Sequence, residues 1–245
     1  MSTPSHEHGP KTHYEIVNLL LRGLEGVLTV AIEETDRADE QAAHAKRMEE
    51  IAMLDPLTGL GNPRALEDDY ASLQLGEYDG RRKGGSIPAN EPVALLLIDI
   101  DKFKSINDTP GLGHAVGNEV LKGVADVMLQ SVRKRDTVAR VGGEEFAILL
   151  PRTTEEIALK KAETIRRNVT ASDLLHDFDP TRKLTVSVGL AMVDLTMPLE
   201  YSASSADLAL YAAKHHGRDQ VVLASQLSQT PDFQGVQLVL SEPNQ

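Results

Sequence analysis

Two glutamates follow a pair of glycines in a stretch that predicts a β-hairpin. Gly142 and Gly143 separate two strand-like runs, and Glu144 and Glu145 come directly after them. Glycine accepts the positive φ of tight two-residue turns, so a glycine pair between such runs predicts a hairpin turn. A turn without side chains lets a phosphate approach the backbone, and the carboxylates suit a hard cation such as Mg²⁺. An ordinary turn followed by solvated acids is the alternative that this stretch alone leaves open.

A second acidic position closes a short apolar run. Residues 93–98 are all apolar, which is typical of a strand covered on both faces, and Asp99 and Asp101 follow at its end. Carboxylates at the end of a core strand are costly unless they are solvated, paired or bound to a metal. We expect the two side chains to lie on opposite faces, with Asp99 as a metal ligand and Asp101 in a structural role. Ile100 between them offers only its carbonyl oxygen.

The elements that must position these residues alternate between helix and strand. The pattern predicts four helices: at 63–75, at 115–132, from Thr153 to about 170, and a last one that ends near 217. It predicts strands at 93–98, 136–141, 146–150, 184–191 and 220–223. Thr153 and Glu156 form a capping box, and Ser204 or Ser205 is the expected cap of the last helix. Strands alternating with helices predict an α/β sandwich with helices packed on a central sheet.

Several spaced motifs, in order along the chain, resemble the GGDEF family of diguanylate cyclases. They are Asp55–Asn62, Asp99–Lys104, Ile106–Asp108, Gly113-His114, Gly117–Glu119, Gly142–Phe146 and Ala213–Arg218. The resemblance spans roughly residues 55–223. It implies the palm-like fold of nucleotidyl cyclases, with a central, mostly antiparallel sheet flanked by helices. It also implies an enzyme that condenses two GTP molecules into cyclic di-GMP and two pyrophosphates.

The resemblance assigns the metal and the catalytic acids to particular residues. Asp99, the carbonyl of Ile100 and Glu144 become the ligands of Mg²⁺, with Mn²⁺ as an ion that could take its place. Glu144 is also the candidate that takes the proton from the attacking 3′-hydroxyl, and Glu145 supports the site. The sequence does not separate the roles of the two glutamates.

The resemblance also implies a set of substrate-binding residues: Phe103, Lys104, Asn107, Asn118, Gly142, Gly143, Lys214 and Arg218. Lys104, Lys214 and Arg218 are expected to hold the triphosphate. Without the family, Lys214 and Arg218 would be read as a solvated helix face, because they lie four residues apart.

Guanine recognition departs from the common pattern of the family. Asn107 matches the family's guanine-edge asparagine, but Asn118 stands where an aspartate is usual. An amide both donates and accepts, so it suits guanine in part and adenine nearly as well. Losing a charge-assisted pair costs about 1–2 kcal/mol. We expect GTP to be preferred with looser base selection. The alternative is that Asn118 is a neutral variant; the loop at 109–114 is two residues longer than usual and bears on this alignment.

An inhibitory product site is also indicated by the resemblance. Arg133 and Asp136 match the RxxD motif through which family members bind cyclic di-GMP. Arginine binds phosphate and stacks on purines, and the aspartate can accept from a guanine edge. The alternative is an ordinary charged turn between a helix and a strand.

The chain divides into four parts. We expect a disordered leader at 1–12, a helical stalk at 13–54, the catalytic domain at 55–223 and a C-terminal tail at 224–245, in which 236–240 could add an edge strand. Each domain can hold one GTP, so the reaction requires a homodimer, and we expect the stalk to set it. One hypothesis is that a small regulatory protein docks on residues 13–35. A self-contained helical hairpin or four-helix dimer bundle is the alternative.

Composition narrows the function classes. The formal charge of −12 argues against a nucleic-acid binder, which normally shows a basic patch. The absence of cysteine excludes disulfides and suits a reducing compartment. No signal peptide is visible, and the best membrane candidate, residues 16–32, is too short and is interrupted by Arg22 and Glu25. We therefore expect a cytoplasmic protein without membrane insertion.

Two other functions stay open beside the active cyclase. A catalytically silent module would bind GTP or cyclic di-GMP as a sensor, although silent modules usually lose the metal acids, which this chain retains. A cyclase of relaxed specificity, suggested by Asn118, would make some mixed cyclic GMP-AMP.

Overall fold

The computed structural model describes residue 22 and residues 41–78, 91–109 and 113–227. The chain forms two compact units, Met1–Ala52 and Met53–Gln245. In the first, residues 41–52 are helical (α1), and most of the predicted stalk at 13–54 lies outside the described residues. The predicted leader, most of residues 13–35, residues 79–90 and the predicted edge strand at 236–240 lie outside the described residues.

The second unit is built on a five-stranded sheet. Its strands are β1 (Val93–Ile100), β2 (Thr137–Arg140), β3 (Glu145–Pro151), β4 (Val186–Met192) and β5 (Val221–Leu223). They follow the order β2-β3-β1-β4-β5. All neighbouring pairs are antiparallel except β4 and β5. The mostly antiparallel sheet implied by the resemblance is therefore confirmed.

Helices cover both faces of this sheet. They are α2 (Pro63–Gln74), α3 (Phe103–Asn107), α4 (Gly113–Ser131), α5 (Glu155–Ala171), α6 (Leu199–His215) and α7 (Ala224–Leu227). Side chains alternate along β1, so Leu96 and Ile98 join one core with α4 and α5, whereas Leu95 joins the other with α2 and α6. Each fully buried side chain of this kind contributes about 1.5–3 kcal/mol. The prediction that β1 is covered on both faces is confirmed.

Two predicted helix starts were wrong. Helix α5 begins after Thr154, and the Thr153 hydroxyl donates to the Pro151 carbonyl, so no capping box forms. Helix α6 begins after Pro198, which places Ser204 and Ser205 inside it. Their hydroxyls donate to carbonyls four residues earlier in the same helix. A serine inside a helix can bond back to the preceding turn, so its presence alone does not mark a start.

One glycine sets how closely α6 approaches the sheet. A Cβ added to Gly189 in β4 would lie 2.0 Å from the Ala206 carbonyl oxygen and 2.4 Å from the Leu210 nitrogen. Only glycine fits at this position, because the helix backbone lies directly on the strand. The close packing brings the C-terminal end of α6, with Lys214, to the end of β1 where the acidic residues lie.

Candidate active site

The predicted metal acids meet where β1 and β3 pair. Asp99 lies directly opposite Glu145 in the antiparallel ladder, and the Ile100 nitrogen donates to the Glu144 carbonyl at 3.3 Å. Asp99 is buried, Glu144 is partly buried and Glu145 is exposed. The pairing of the two strands thus brings Asp99 close to the two glutamates, which lie 45 or more residues further along the chain.

Lys214 of α6 forms an ion pair with the buried acid. Its Nζ lies 2.8 Å from Asp99 Oδ2, and its side chain is 30% exposed. The sequence predicts Lys214 as a triphosphate ligand. In the structure it contacts the predicted metal ligand, and its partial exposure leaves the ammonium accessible to an anion bound beside Asp99.

The buried Asp99 and the partly buried Glu144 have raised pKa values. Burial raises the pKa of Asp99; the Lys214 ammonium opposes this shift, and the carboxylates of Glu145 and Asp101 add to it. Burial and then the charge of Asp99 raise the pKa of Glu144. Carboxylates that repel one another in a partly dry site are stabilised by a cation between them. Oxygen donors of this kind, with the Ile100 carbonyl, fit a hard divalent ion such as Mg²⁺.

The hairpin differs from the predicted turn in its detail. Strands β2 and β3 form the hairpin, but the connection is longer than two residues, since Arg140 pairs with Phe146. Neither Gly142 nor Gly143 has a positive φ, so the predicted reason for the glycines was wrong. A Cβ on Gly142 would lie 2.5 Å from Glu145 Oε2, whereas one on Gly143 would meet nothing within 4 Å. Gly142 therefore makes room for the Glu145 side chain.

Arg140, which the sequence did not single out, supports the hairpin tip. Its Nη2 donates to the Gly143 carbonyl at 2.7 Å, and its Nη1 lies 3.3 Å from both Asp55 carboxylate oxygens. Thr58 donates to the same carboxylate through its backbone and its hydroxyl. A basic residue two positions before the glycine pair, together with an acid in the opening motif, was the available signal.

Asp101 has the predicted structural role, but not the predicted orientation. Residues two apart in a strand project to the same face. Ser187, which pairs with Asp99, donates its hydroxyl to Asp101 Oδ1 at 2.7 Å. The other oxygen accepts from the Thr185 hydroxyl at 2.7 Å and the Asp219 nitrogen at 3.1 Å. The expectation of opposite faces was therefore wrong, and Asp101 joins three segments of chain.

The predicted base-binding residues lie where α3 packs on α4. Asn107 Oδ1 is buried and has no hydrogen-bond partner among the described residues. A Cβ on Gly117 would lie 2.1 Å from this oxygen and 3.2 Å from Phe103 Cζ, so the amide and the ring pack on the glycine. Asn118 follows in α4 and is exposed. A buried acceptor without a partner fits a ligand that donates a hydrogen bond.

The remaining predicted phosphate residues are exposed. Lys104 lies on α3, and Arg218 follows α6 with a left-handed φ of 67°. Arg218 lines a polar cavity of about 250 Å³, whose walls are Asp101, Lys102, Arg182, Lys183, Thr185, Gly217, Arg218 and Asp219. The structure brings Arg218 to this cavity and Lys214 to Asp99.

The predicted inhibitory motif forms a turn before β2. Arg133 is exposed, whereas Asp136 is buried and accepts from the Arg133 nitrogen at 2.8 Å. Lys161 of α5 lies 3.2 Å from the same carboxylate oxygen, Oδ2. Oδ1 of Asp136 has no partner in the part of the chain that the structure describes. The arginine is accessible to a ligand, and the aspartate holds the turn.

Within the described ranges, no group of three or more histidine, cysteine, aspartate or glutamate side chains is arranged to hold a metal ion. The predicted ligand set is consistent with this, since it consists of two carboxylates and a backbone carbonyl.

Over the same described residues, no helix is both long and apolar enough to cross a membrane.

The chain is similar in sequence to proteins of known type. Residues 52–220, more than half of the chain, match the family described as "Diguanylate cyclase, GGDEF domain". Diguanylate cyclase DgcM of Escherichia coli is 37% identical over 193 residues, which are 79% of this chain and 42% of the relative. Diguanylate cyclase A of Treponema denticola is 39% identical over 55% of this chain and 36% of its own length. The chain thus spans about two fifths of the length of these relatives.

Solved structures agree with the sequence comparisons. The coiled coil and GGDEF domain of DgcB from Caulobacter crescentus, in complex with c-di-GMP, matches with a TM-score of 0.65 and 29% identity, over 82% of this chain and 98% of that chain. Diguanylate cyclase SiaD from Pseudomonas aeruginosa, in complex with its activator SiaC, matches with a TM-score of 0.61 and 31% identity. The match covers 86% of this chain and 75% of the SiaD chain. With its fold, its ordered motifs and these relatives, the chain belongs to the GGDEF family of diguanylate cyclase domains.

Proposed function

We propose that this chain is an active diguanylate cyclase that condenses two GTP molecules into cyclic di-GMP. One observation carries the proposal: Asp99, Glu144 and Glu145 converge beside a glycine pair, with Lys214 2.8 Å from Asp99. A catalytically silent sensor would have no need for Asp99 and Glu144 as neighbouring carboxylates whose pKa values are raised by burial and by nearby negative charge. Groups with shifted pKa values cluster at functional sites, because catalysis needs such pKa values even where the arrangement that shifts them reduces stability.

The reaction joins the 3′-hydroxyl oxygen of one GTP to the α-phosphorus of the other and breaks the bond to pyrophosphate. Glu144 is the candidate acceptor of the hydroxyl proton, and its raised pKa makes it a better acceptor than an ordinary exposed glutamate. Lys104, Lys214 and Arg218 bind the triphosphate, since phosphoryl transfer depends mainly on positioning and on stabilising charge. Gly142 and Gly143 keep the hairpin tip open to the nucleotide.

Family members are generally dependent on a divalent metal, and the donors present here fit Mg²⁺, with Mn²⁺ as a substitute. Asp99, the Ile100 carbonyl and Glu144 would hold the ion. When bound, it supplies Lewis-acid stabilisation of the charge that develops on the phosphoryl oxygens.

The base of GTP is assigned to the region where α3 meets α4. The buried Oδ1 of Asn107 has no hydrogen-bond partner among the described residues, which supports its role as an acceptor for the guanine edge. Asn118 lies one residue after the Gly117 contact and is exposed. Because its amide can also serve adenine, a cyclase that makes some mixed cyclic GMP-AMP is the second candidate function.

Two further features belong to the proposal. The product contains two GMP units and each domain holds one GTP, so we propose a homodimer in which two half-sites face each other, set by the helical stalk. Arg133 and Asp136 would bind the product and slow the enzyme. The exposure of Arg133 supports this role, and Oδ1 of the buried Asp136 has no hydrogen-bond partner among the described residues.

A regulatory partner is the third feature. SiaD is crystallised with its activator SiaC, and this chain covers 75% of the SiaD chain. We propose that a small protein docks on residues 13–35 and switches the enzyme by fixing the dimer. Deleting residues 1–35 should then remove the response to the partner and leave the folded catalytic unit.

Product analysis tests the proposed activity. Purified full-length protein is incubated with Mg²⁺ and GTP, and then with GTP plus ATP, and the nucleotides are resolved by mass. Cyclic di-GMP alone supports the cyclase and makes Asn118 a neutral variant, whereas a mixed dinucleotide supports relaxed specificity. Absence of product from a stable dimer that binds GTP would favour the silent sensor.

A further inference from the structure

An arginine outside the family motifs is held against the turn that precedes Lys104. Arg182 lies in the loop before β4, and its Nη2 donates to the Lys102 carbonyl at 3.3 Å. Its Nη1 donates to the Ser105 carbonyl at 3.4 Å, and Nη2 also contacts the Ser105 hydroxyl. One guanidinium therefore connects Lys102, the residue before α3, to Ser105 inside α3.

Within this segment, the Ser105 nitrogen and hydroxyl donate to the Lys102 carbonyl at 2.9 and 2.6 Å. Lys102 has a left-handed φ of 56°, which a residue with a side chain adopts only when its surroundings enforce it. It precedes α3 without a side-chain cap, and α3 is only five residues long. So short a helix does not stabilise its own start. Arg182 adds three contacts from elsewhere in the fold.

The same arginine lines a cavity in which positive charge dominates. Lys102, Lys183 and Arg218 lie with it around the polar cavity of about 250 Å³. The two carboxylates there are already engaged. Asp101 accepts from three protein donors. Asp219 pairs with Arg166 at 2.5 Å. The charge of Asp219 is paired with Arg166, and Asp101 keeps its negative charge, because its donors are neutral. The four basic side chains still outnumber this charge, so an anion entering the cavity would meet net positive charge.

We infer that Arg182 is a positioning residue for the triphosphate of GTP. It fixes the segment from Lys102 to Ser105, so that Lys104 faces the phosphates. The cationic cavity beside this segment would accept the terminal phosphate. The inference rests on the proposed cyclase function. A planar guanidinium can donate to several acceptors at fixed angles, which a lysine ammonium cannot reproduce.

The test compares the variants Arg182→Ala and Arg182→Lys with the wild-type enzyme. Arg167→Ala is the control. Arg167 is exposed on α5, and its Nε donates to the Glu163 carbonyl of the same helix. We expect Arg182→Ala to raise KM for GTP about tenfold, as for a lost hydrogen bond to a charged group, and to change kcat by less than about threefold. Arg182→Lys should restore little, and the control should leave both constants unchanged.

Two inhibitors separate positioning from a general loss of structure. In Arg182→Ala, the inhibition constant of pyrophosphate should rise by about the same factor as KM, while that of guanosine stays unchanged. An unchanged KM, or equal weakening of both inhibitors together with a lower unfolding temperature, would overturn the inference. If the wild-type protein makes no product, calorimetric binding of GTP and pyrophosphate with Ca²⁺ tests the arginine independently of the proposed activity.

Discussion

Arg140 connects the carboxylate of Asp55 to the carbonyl oxygen of Gly143. Its Nη1 lies 3.3 Å from both Asp55 oxygens, while its Nη2 donates to Gly143 at 2.7 Å. Both side chains are largely buried, so water competes weakly for the contacts. The acid lies in the opening motif of the domain, and the carbonyl lies in the hairpin tip, one residue before Glu144. The position of a proposed catalytic acid thus depends on a contact that spans 85 residues.

Replacing this arginine should lower the rate without unfolding the domain. We expect Arg140→Gln to reduce kcat about ten- to a hundredfold, because small misplacements of catalytic groups have effects of this size. Pyrophosphate release at saturating GTP measures it. Arg152→Gln is the matched control, since Arg152 forms a half-exposed pair with Glu91 at 3.7 Å, away from the hairpin tip. Equal kcat values for the two variants would contradict the prediction.

The same network should make stability depend on pH through Asp55. Burial alone would raise the pKa of Asp55, but the hydrogen bonds from Thr58 and Arg140 outweigh it and lower the pKa below its ordinary value. A lowered folded-state pKa contributes stability above the unfolded value of about 3.9, and this stability is lost as the pH falls through the folded-state pKa.

Urea unfolding of the wild type and Asp55→Asn between pH 7 and pH 3 measures this contribution. We expect the variant to be less stable by about 1 kcal/mol at pH 7, with the difference shrinking below about pH 4. A difference that stays constant over the whole range would show that the Asp55 charge does not matter.

Glu144 should show the opposite trend, because its pKa is raised by burial and by Asp99. Its ionised form therefore reduces stability above the folded-state pKa, and acidification removes the penalty. Without Mg²⁺ at pH 7, we expect Glu144→Gln to raise the free energy of unfolding by about 0.5–1 kcal/mol while abolishing cyclase activity. Glu156→Gln on the exposed face of α5 is the control and should not stabilise. A destabilised Glu144→Gln would argue against the repulsion.

The packing of α6 on β4 predicts a large effect at Gly189. An added methyl group would lie 2.0 Å from the backbone oxygen of Ala206, which cannot move without shifting the helix. We expect Gly189→Ala to lower the free energy of unfolding by about 2–3 kcal/mol, measured by urea denaturation. Gly143→Ala is the control for stability, because a Cβ there meets nothing within 4 Å. Similar unfolding midpoints for both would refute the packing argument.

Base selection should respond to the residue at position 118. We expect Asn118→Asp to lower KM for GTP about three- to tenfold and to weaken competition by ATP, because a carboxylate accepts from guanine but not favourably from the adenine edge. Asn168→Asp, an exposed change on α5, controls for the added charge. Competition assays with both nucleotides measure the ratio, and an unchanged ratio would make Asn118 a neutral variant.

Much of the fold follows from local patterns in the chain. The continuous apolar run at 93–98 indicated a strand buried on both faces, and the structure has β1 there. A helix was predicted from Pro63, and α2 begins there, with Asn62 before it accepting from the Ala65 nitrogen. The starts of α5 and α6 were wrong, because hydroxyl residues bond equally well to preceding carbonyls, a choice that depends on the neighbouring chain.

By itself, the sequence determined the family, the order of its motifs and the acids that could bind a metal, because residue types and short spacings carry this chemistry. Only the tertiary structure decided which of these residues meet. The ion pair of Lys214 with Asp99 and the contacts of Arg182 with the turn after β1 join positions 77 or more residues apart. Such contacts arise from the packing of helices on the sheet, which no local spacing in the chain encodes.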